Sequence, residues 1–176
     1  MQPVRKNLTF TLIAASAGLA LSAGSAQAAT GNTATATGTA NATVVAPLQI
    51  THTAGAALSF GAFTAGTGGT VTVSQAGVGS VTGDVGLVSG GTVAADAFTV
   101  SGSAARAFTI ATSTGNTVST GGATPATMAV ALSAPTTGTL SAAGTFALRV
   151  GGTLTVAANQ AAGAYTGSYT VTVTYQ

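Results

Sequence analysis

The sequence is poor in the residues on which most enzymes and metal-binding proteins depend. Its 176 residues include no Cys, no Trp and a single His, and only 3% of them are charged. A typical soluble domain is about 25% charged. General acid–base and nucleophilic catalysis need carboxylates, His or Lys in defined positions. We therefore expect no enzyme, no catalytic or metal-binding residues and no cofactor, and the lack of Cys excludes disulfide bonds.

The few groups that could carry chemistry are scattered along the chain. Asp84 and Asp96 are its only acidic residues, and both lie among Gly and Ala. Asp is favoured in turns, where its carboxylate accepts backbone hydrogen bonds, so we expect two solvated turn residues. His52 stands beside Ile50 in an alternating segment, which places it on a strand face. The spacing of these three residues supports no metal site.

The first 28 residues have the pattern of a secretory signal peptide. Arg5 and Lys6 precede an apolar run over residues 8–21, and Ala26-Gln27-Ala28 follows it. A basic start, a short apolar segment and an A-x-A site define such a leader. We predict cleavage after Ala28 and export, with passage through the periplasm to the cell surface.

The chain after residue 28 is formally neutral. It contains Arg106 and Arg149 as its only cations, against Asp84 and Asp96. Binding to nucleic acid or to anionic lipid depends on clustered positive charge. We therefore expect no nucleic-acid partner and no direct membrane insertion after cleavage.

Alternation of apolar and hydroxyl residues dominates the remaining sequence and predicts an all-β fold. The period-two segments are Thr70–Val73, Phe98–Ser101, Phe108–Ile110, Leu148–Val150 and Thr153–Val156. Such alternation places apolar side chains on one face of a sheet. Glycine clusters separate these segments and predict turns, at residues 66–69, 77–83, 90–91, 121–122 and 151–152. Short strands with frequent turns favour a β-sandwich.

The two ends of the predicted domain differ from its middle. Residues 33–43 alternate strictly but offer only Ala and Gly on one face, so they form either an unstructured N-terminal arm or a strand that awaits an acceptor. The strongest strand signal covers residues 169–176, where Tyr169, Val171, Val173 and Tyr175 share one face. We therefore divide the chain into a signal peptide (1–28), an arm (29–43) and a β-sandwich domain (44–176).

Several segments resemble a known bacterial family. They are residues 44–48, Leu58-Ser59-Phe60-Gly61, residues 90–93, residues 148–156 and the ending from Gly163 to Val173. In these the sequence resembles secreted Gram-negative proteins known only as a domain of unknown function, the DUF4402 family. The layout in turn resembles the spore-coat-U-type subunits of archaic chaperone–usher pili, although those usually carry Cys.

A second resemblance to pilus subunits lies at the C-terminus. Such subunits typically have a Gly 14 residues from the end and a penultimate Tyr, which Gly163 and Tyr175 match. The resemblance implies an immunoglobulin-like sandwich that lacks one strand, with an assembly groove along the C-terminal strand formed by Gly163, Tyr169, Val171, Val173 and Tyr175. It implies a donor strand in the arm, with Thr33, Ala34, Ala36, Gly38, Ala40, Ala42 and Val44 in that role.

The resemblance also implies a function and partners. We expect a structural subunit of a pilus-like or fimbria-like surface filament with a role in cell adhesion, polymerised by donor-strand exchange. Its partners would be copies of itself or other pilus subunits, a periplasmic chaperone and an outer-membrane usher. The alternative is a monomeric secreted β-sandwich that binds surface polysaccharide, in which Tyr165, Tyr169 and Tyr175 would supply the aromatic contacts.

Overall fold

The computed structural model describes residues 31 and 33–176, and all regular secondary structure in this part of the chain is β-strand. The predicted signal peptide and the first residues of the predicted arm lie outside the described residues. The chain divides into two units, residues 1–42 and 43–176. The second unit contains twelve strands: β1 (Gln49–His52), β2 (Ser59–Thr64), β3 (Gly69–Val73), β4 (Gly79–Gly83), β5 (Gly86–Ala94), β6 (Asp96–Ser101), β7 (Ala107–Thr112), β8 (Asn116–Ser119), β9 (Thr127–Ser133), β10 (Thr137–Thr139), β11 (Thr145–Val156) and β12 (Val171–Tyr175).

Three antiparallel sheets build the domain, which confirms the predicted all-β sandwich. The largest follows the order β1-β6-β11-β3-β4, and β9, with β8 beside it, also pairs with β11. A second sheet has the order β10-β7-β12, and a third consists of β2 and β5.

Two apolar clusters lie between these sheets, because the alternating side chains turn inward from both sides. The first contains Val71, Val85, Met128, Val130, Leu154 and Val156, and Phe60 and Phe63 of β2 pack against it. The second contains Val100, Phe108, Ile110, Leu140, Leu148 and Val150. Side chains of β12 and of the chain around β1 pack against this second cluster. They are only half-buried, so the second cluster is incompletely covered.

Strand β11 connects the two clusters. Its first half pairs with β6, and from Gly151 onward it pairs with β9 and β3. A Cβ atom at Gly151 would collide with the backbone of Val73 and Ser74. Glycine is therefore required where the strand changes partners, since the neighbouring backbone approaches too closely for any side chain.

The glycine clusters do not all form turns as predicted. Residues 66–68 lie in a turn region, and so do Gly121 and Gly122. Residues 79–83 instead form β4, Gly90 and Gly91 lie inside β5, and Gly151 and Gly152 lie inside β11. These predictions are wrong because a strand also requires glycine where a neighbouring backbone comes close, as at Gly91 and Gly151, or where φ is positive, as at Gly90.

Residues 33–48, which precede β1, form no helix or strand. Residues 33–47 are exposed, and Val44 retains 96% of its accessible surface. From residue 33 onward, Leu48 is the first partly buried side chain. Within the described residues there is no helix of the length and apolar character that crossing a membrane requires.

Candidate functional site

The beginning and the end of the domain face each other without pairing. We call residues 46–65, which include β1 and β2, the first segment, and residues 160–175, which include β12, the last segment. β1 pairs with β6, β2 with β5 and β12 with β7. Within residues 33–176, no backbone hydrogen bond joins the first segment to the last. The space between them is called the gap.

One backbone edge of β12 lies along the gap and has no partner strand in the described part of the chain. The Thr170 carbonyl accepts from the Ser113 N–H, and the Gln176 N–H donates to the Ala107 carbonyl. Backbone groups point alternately to the two sides of an antiparallel strand. The backbone groups of the even-numbered residues 170–176 therefore bond to β7 and to the residues that flank it. The N–H and C=O groups of Val171, Val173 and Tyr175 point into the gap.

The same argument applies to β1 on the opposite side. The Thr53 N–H donates to the Ala97 carbonyl at 2.9 Å, and Thr51 is the register partner of Thr99. Odd-numbered residues of β1 thus face β6, and the backbone groups of Ile50 and His52 point away from it. Two strand edges without backbone partners among residues 33–176 therefore flank one gap, and an edge of this kind is a template for another strand.

Near the C-terminal end of β12, the gap is crossed by hydrogen bonds of side chains and not by a backbone ladder. The Tyr175 hydroxyl donates to the Ala46 carbonyl at 3.1 Å and accepts from the Ser103 N–H at 2.8 Å. The Ala46 N–H in turn donates to the Ser103 hydroxyl at 2.8 Å. We call these hydrogen bonds of the Tyr175 hydroxyl the Tyr175 tether. A Cβ atom at Gly102 would collide with this hydroxyl, so the tether requires glycine at position 102.

A second crossing point is formed by His52, Asp96 and Tyr169, which we call the polar clasp. Asp96, at the start of β6, is 4% exposed and is the only buried charged or polar residue of the described part. Its Oδ1 lies 2.7 Å from His52 Nε2, and its Oδ2 accepts from the Tyr169 hydroxyl at 2.5 Å. The clasp therefore joins the first and last segments through one carboxyl group.

The environment of the clasp alters the acidity of Tyr169. Burial of the ring, followed by the hydrogen bond to Asp96 and its negative charge, raises the pKa of Tyr169 well above its ordinary value. The phenol therefore remains a hydrogen-bond donor through the neutral and mildly alkaline range. Phe98 lies beside both ends of the clasp, with ring centroids 4.9 Å from His52 and 6.3 Å from Tyr169.

Beyond the clasp the gap opens into a cavity. It has a volume of about 790 Å³ and lies between residues 58–65 and residues 160–167. Its apolar floor comes from the first cluster, through Met128, Leu154 and Val118. The Asn159 N–H donates to the Gly66 carbonyl at 3.1 Å, and this bond closes the gap at its far end. The gap thus extends from Ala46 and Tyr175 to Gly66 and Asn159.

The predicted groove residues lie along this gap. Tyr169, Val171, Val173 and Tyr175 are half-buried on one wall, and Gly163 lines the cavity. The predicted donor residues Thr33, Ala34, Ala36, Gly38, Ala40, Ala42 and Val44 are all exposed and form no strand. Their assignment as groove and donor residues remains a prediction.

The expectation for Asp96 is wrong, whereas Asp84 occupies a turn as expected. Asp84 is exposed and accepts from the Thr67 N–H at 3.0 Å. Asp96 is buried because β1 and the last segment both supply hydrogen-bond donors to it, which the local sequence cannot reveal. The described residues contain no cluster of three or more His or acidic side chains that could hold a metal ion.

The other wall of the gap was not identified from the sequence. Leu48 and Ile50 pack against the second cluster, and Leu58 and Phe60 line the cavity. The alternation of Leu48 and Ile50 with polar neighbours was a usable signal for an inward-facing strand. The three tyrosines considered for polysaccharide binding are half-buried, and their hydroxyls are hydrogen-bonded within the domain.

Comparison with known proteins gives a family but no function. No curated protein and no solved structure matches the chain. The model of a domain of unknown function, DUF4402, matches residues 48–175, which cover both walls of the gap and nearly all of the sandwich. The chain therefore belongs to the DUF4402 family.

Proposed function

We propose that this protein is a structural subunit of an extracellular, pilus-like filament, polymerised by donor-strand exchange. The observation that carries the proposal is the gap, because two strand edges flank it and, within residues 33–176, no strand lies between them. In donor-strand exchange, a strand from the next subunit fills such a place. The domain would then be an incomplete immunoglobulin-like sandwich.

The arm has the length that such an exchange needs. Residues 33–43 and residues 165–175 are equally long, and an extended strand rises about 3.3 Å per residue. Each therefore spans about 36 Å. Residues 33–43 are exposed and form no strand, and their N–H and C=O groups suit strand addition, in which main-chain hydrogen bonds supply much of the affinity.

Export and assembly partners complete the proposal. The leader at residues 1–28 would direct the chain to the periplasm, where a chaperone would cover the gap before an usher replaces it with the arm of another subunit. The assembled filament would lie at the cell surface, where the protein could serve in adhesion.

The test is deletion of residues 33–44 in a Gram-negative strain that expresses the full-length chain from its native locus. We expect the variant to be exported but surface filaments to be lost, as seen by electron microscopy with antibody labelling. The matched control replaces Thr33, Thr35, Thr37 and Thr39 by Ser, which keeps the length and the small inward face. Filaments of normal abundance in the deletion strain would contradict the proposal.

A further inference from the structure

The chain enters the domain through a short segment at one end of the gap. We call residues 44–48 the root, because they join the arm to β1. They form no helix or strand, and none of these five residues has a positive φ. Leu48 packs against the second cluster, so the last residue of the root is fixed to the core.

Both backbone groups of Ala46, in the middle of the root, are hydrogen-bonded. Its N–H donates to the Ser103 hydroxyl at 2.8 Å, and its carbonyl accepts from the Tyr175 hydroxyl at 3.1 Å. The Ser103 N–H donates to the same Tyr175 hydroxyl at 2.8 Å, so the three residues form a closed ring of hydrogen bonds. Tyr175 itself packs against the second cluster. The Tyr175 tether therefore connects the root to the core.

The residues around Ala46 favour a straight backbone. Pro47 has a φ of about −65° and no N–H, and it confines the preceding residue to extended conformations. Val44 and Val45 are β-branched, which also favours an extended backbone. Tight hairpin loops need Gly, Asn or Asp at positions of positive φ, and residues 44–48 contain none of these. The root therefore has the composition of an extended segment and not of a turn.

We propose that the root is a device against self-insertion, which prevents the arm from reversing its direction and entering the gap of its own domain. An arm that entered this gap would form a hairpin with β1, because the root leads directly into that strand. The hairpin would need a turn within residues 44–48, where Pro47 and the Tyr175 tether oppose it. The inference rests on the proposed function, in which the arm is the donor strand, and adds how a chain is kept from serving as its own donor.

The arm would otherwise have an advantage over any strand from outside. Residues 33–43 span about 36 Å when extended, so they are long enough to follow β1. A segment joined to its site by a short linker has an effective concentration on the order of millimolar. The backbone groups of Ile50 and His52 that point away from β6 would be satisfied by such a hairpin. A gap that is to stay open for an external strand therefore needs a barrier at the root.

Amide hydrogen exchange on the full-length chain, purified as a monomer, tests the device because it reports whether a strand lies in the gap. The N–H groups of Ile50, His52, Val171 and Val173, called the gap amides, point into the gap. Since a strand in the gap would accept hydrogen bonds from them, their exchange slows when the gap is filled. We expect them to exchange rapidly in the unchanged monomer.

A variant with a permissive root should reverse this result. Ala46→Asn with Pro47→Gly supplies the turn sequence that most favours a hairpin, and Tyr175→Phe removes the tether. In the triple variant the gap amides should exchange at least about tenfold more slowly, which corresponds to about 1.4 kcal/mol. The slowing should not depend on protein concentration, because the inserted strand belongs to the same chain. A purely structural role of the root predicts the opposite sign, with faster exchange.

The matched control places the same turn sequence in the middle of the arm. Ala36→Asn with Thr37→Gly cannot bring the arm back to its own domain, so the gap amides should remain fast. The double variant Ala46→Asn with Pro47→Gly keeps the tether and should slow the gap amides less than the triple variant does. It also replaces the triple variant if that chain fails to fold, which the amides facing β7 report.

Two results would overturn the inference. The first is slow exchange of the gap amides in the unchanged monomer that is abolished by deletion of residues 33–44, because the arm would then already occupy its own gap. The second is fast exchange of the gap amides in both root variants while Thr172 and Thr174, which face β7, stay protected. Failure of the proposed function is seen separately, as filaments of normal abundance in the deletion strain, and does not alter the exchange measured on the monomer.

Discussion

Strands β11 and β12 have the same kind of sequence but different surroundings. β12 alternates apolar residues with Thr throughout, and β11 does so in its second half, residues 153–156. β11 is paired along its length, on both sides in its second half, and its Val150 and Leu154 are almost inaccessible. Among the strands that the structure describes, β12 pairs only with β7, and Val171, Val173 and Tyr175 remain half-exposed. Alternation therefore specifies a strand and its inward face, but not whether both of its edges are satisfied.

Because β12 lacks a backbone partner on one side, side chains hold the two walls of the gap in position. Near β12 the missing backbone ladder is replaced by two polar links, the Tyr175 tether and the polar clasp. Hydrogen bonds of this kind contribute about 0.5–1.5 kcal/mol each, and more when a charged group takes part. They fix the positions of two edges that would otherwise be connected only through the core.

The largest expected effect is a difference in stability loss between core variants of β11 and β12. Leu154→Ala in β11 should lower the free energy of unfolding by about 2–5 kcal/mol, because it creates a cavity in a fully packed site. Val173→Ala in β12 should cost less than half as much, since its side chain is already half-exposed. Urea denaturation of the two purified variants measures both values. Equal losses would show that β12 is buried as deeply as β11.

A second, smaller effect concerns the polar clasp. Asp96→Asn should lower the free energy of unfolding by about 1–3 kcal/mol, because a buried hydrogen-bonded group loses an acceptor. The control is Asp84→Asn, an exposed turn residue, for which we expect a change within about 0.5 kcal/mol. Urea denaturation at neutral pH compares the two. If Asp96→Asn left the free energy of unfolding unchanged, the clasp would not contribute to holding the first and last segments together.

The smallest expected effect is a pH dependence that Tyr169 imposes. Folding raises the pKa of Tyr169 above its unfolded value, so its contribution to stability is fully present below about pH 10 and is lost as pH rises above it. In that range the folded state holds a proton that the unfolded state has released. Each pH unit should therefore cost up to about 1.4 kcal/mol.

The variant Tyr169→Phe isolates this contribution. It should show a shallower decline of stability above pH 10 than the unchanged protein, because a phenylalanine ring has no proton that the folded state could retain. Denaturant titrations at several alkaline pH values supply the comparison. Parallel declines in the two proteins would assign the loss to other groups.

The local pattern of apolar and polar residues predicted structure correctly where that structure depends on residues that are adjacent in sequence. The alternation at residues 70–73 and 153–156 correctly predicted β3 and the second half of β11. The glycine pairs at residues 90–91 and 151–152 misled, because glycine in a strand and glycine in a turn look alike in sequence. The prediction that Asp96 is a solvated turn residue was wrong because its partners are distant in sequence. His52 and Tyr169 are 44 and 73 residues away along the chain.

The sequence by itself determined the all-β class, the faces of the strands and the near absence of charge, because these follow from residue types and a period of two. Only the tertiary structure decided that residues 46–65 and 160–175 lie on opposite sides of one gap. It also decided that Asp96 is buried between them and that the gap opens into a cavity beyond the polar clasp. These features depend on strand order and register, which arise when distant segments pack together.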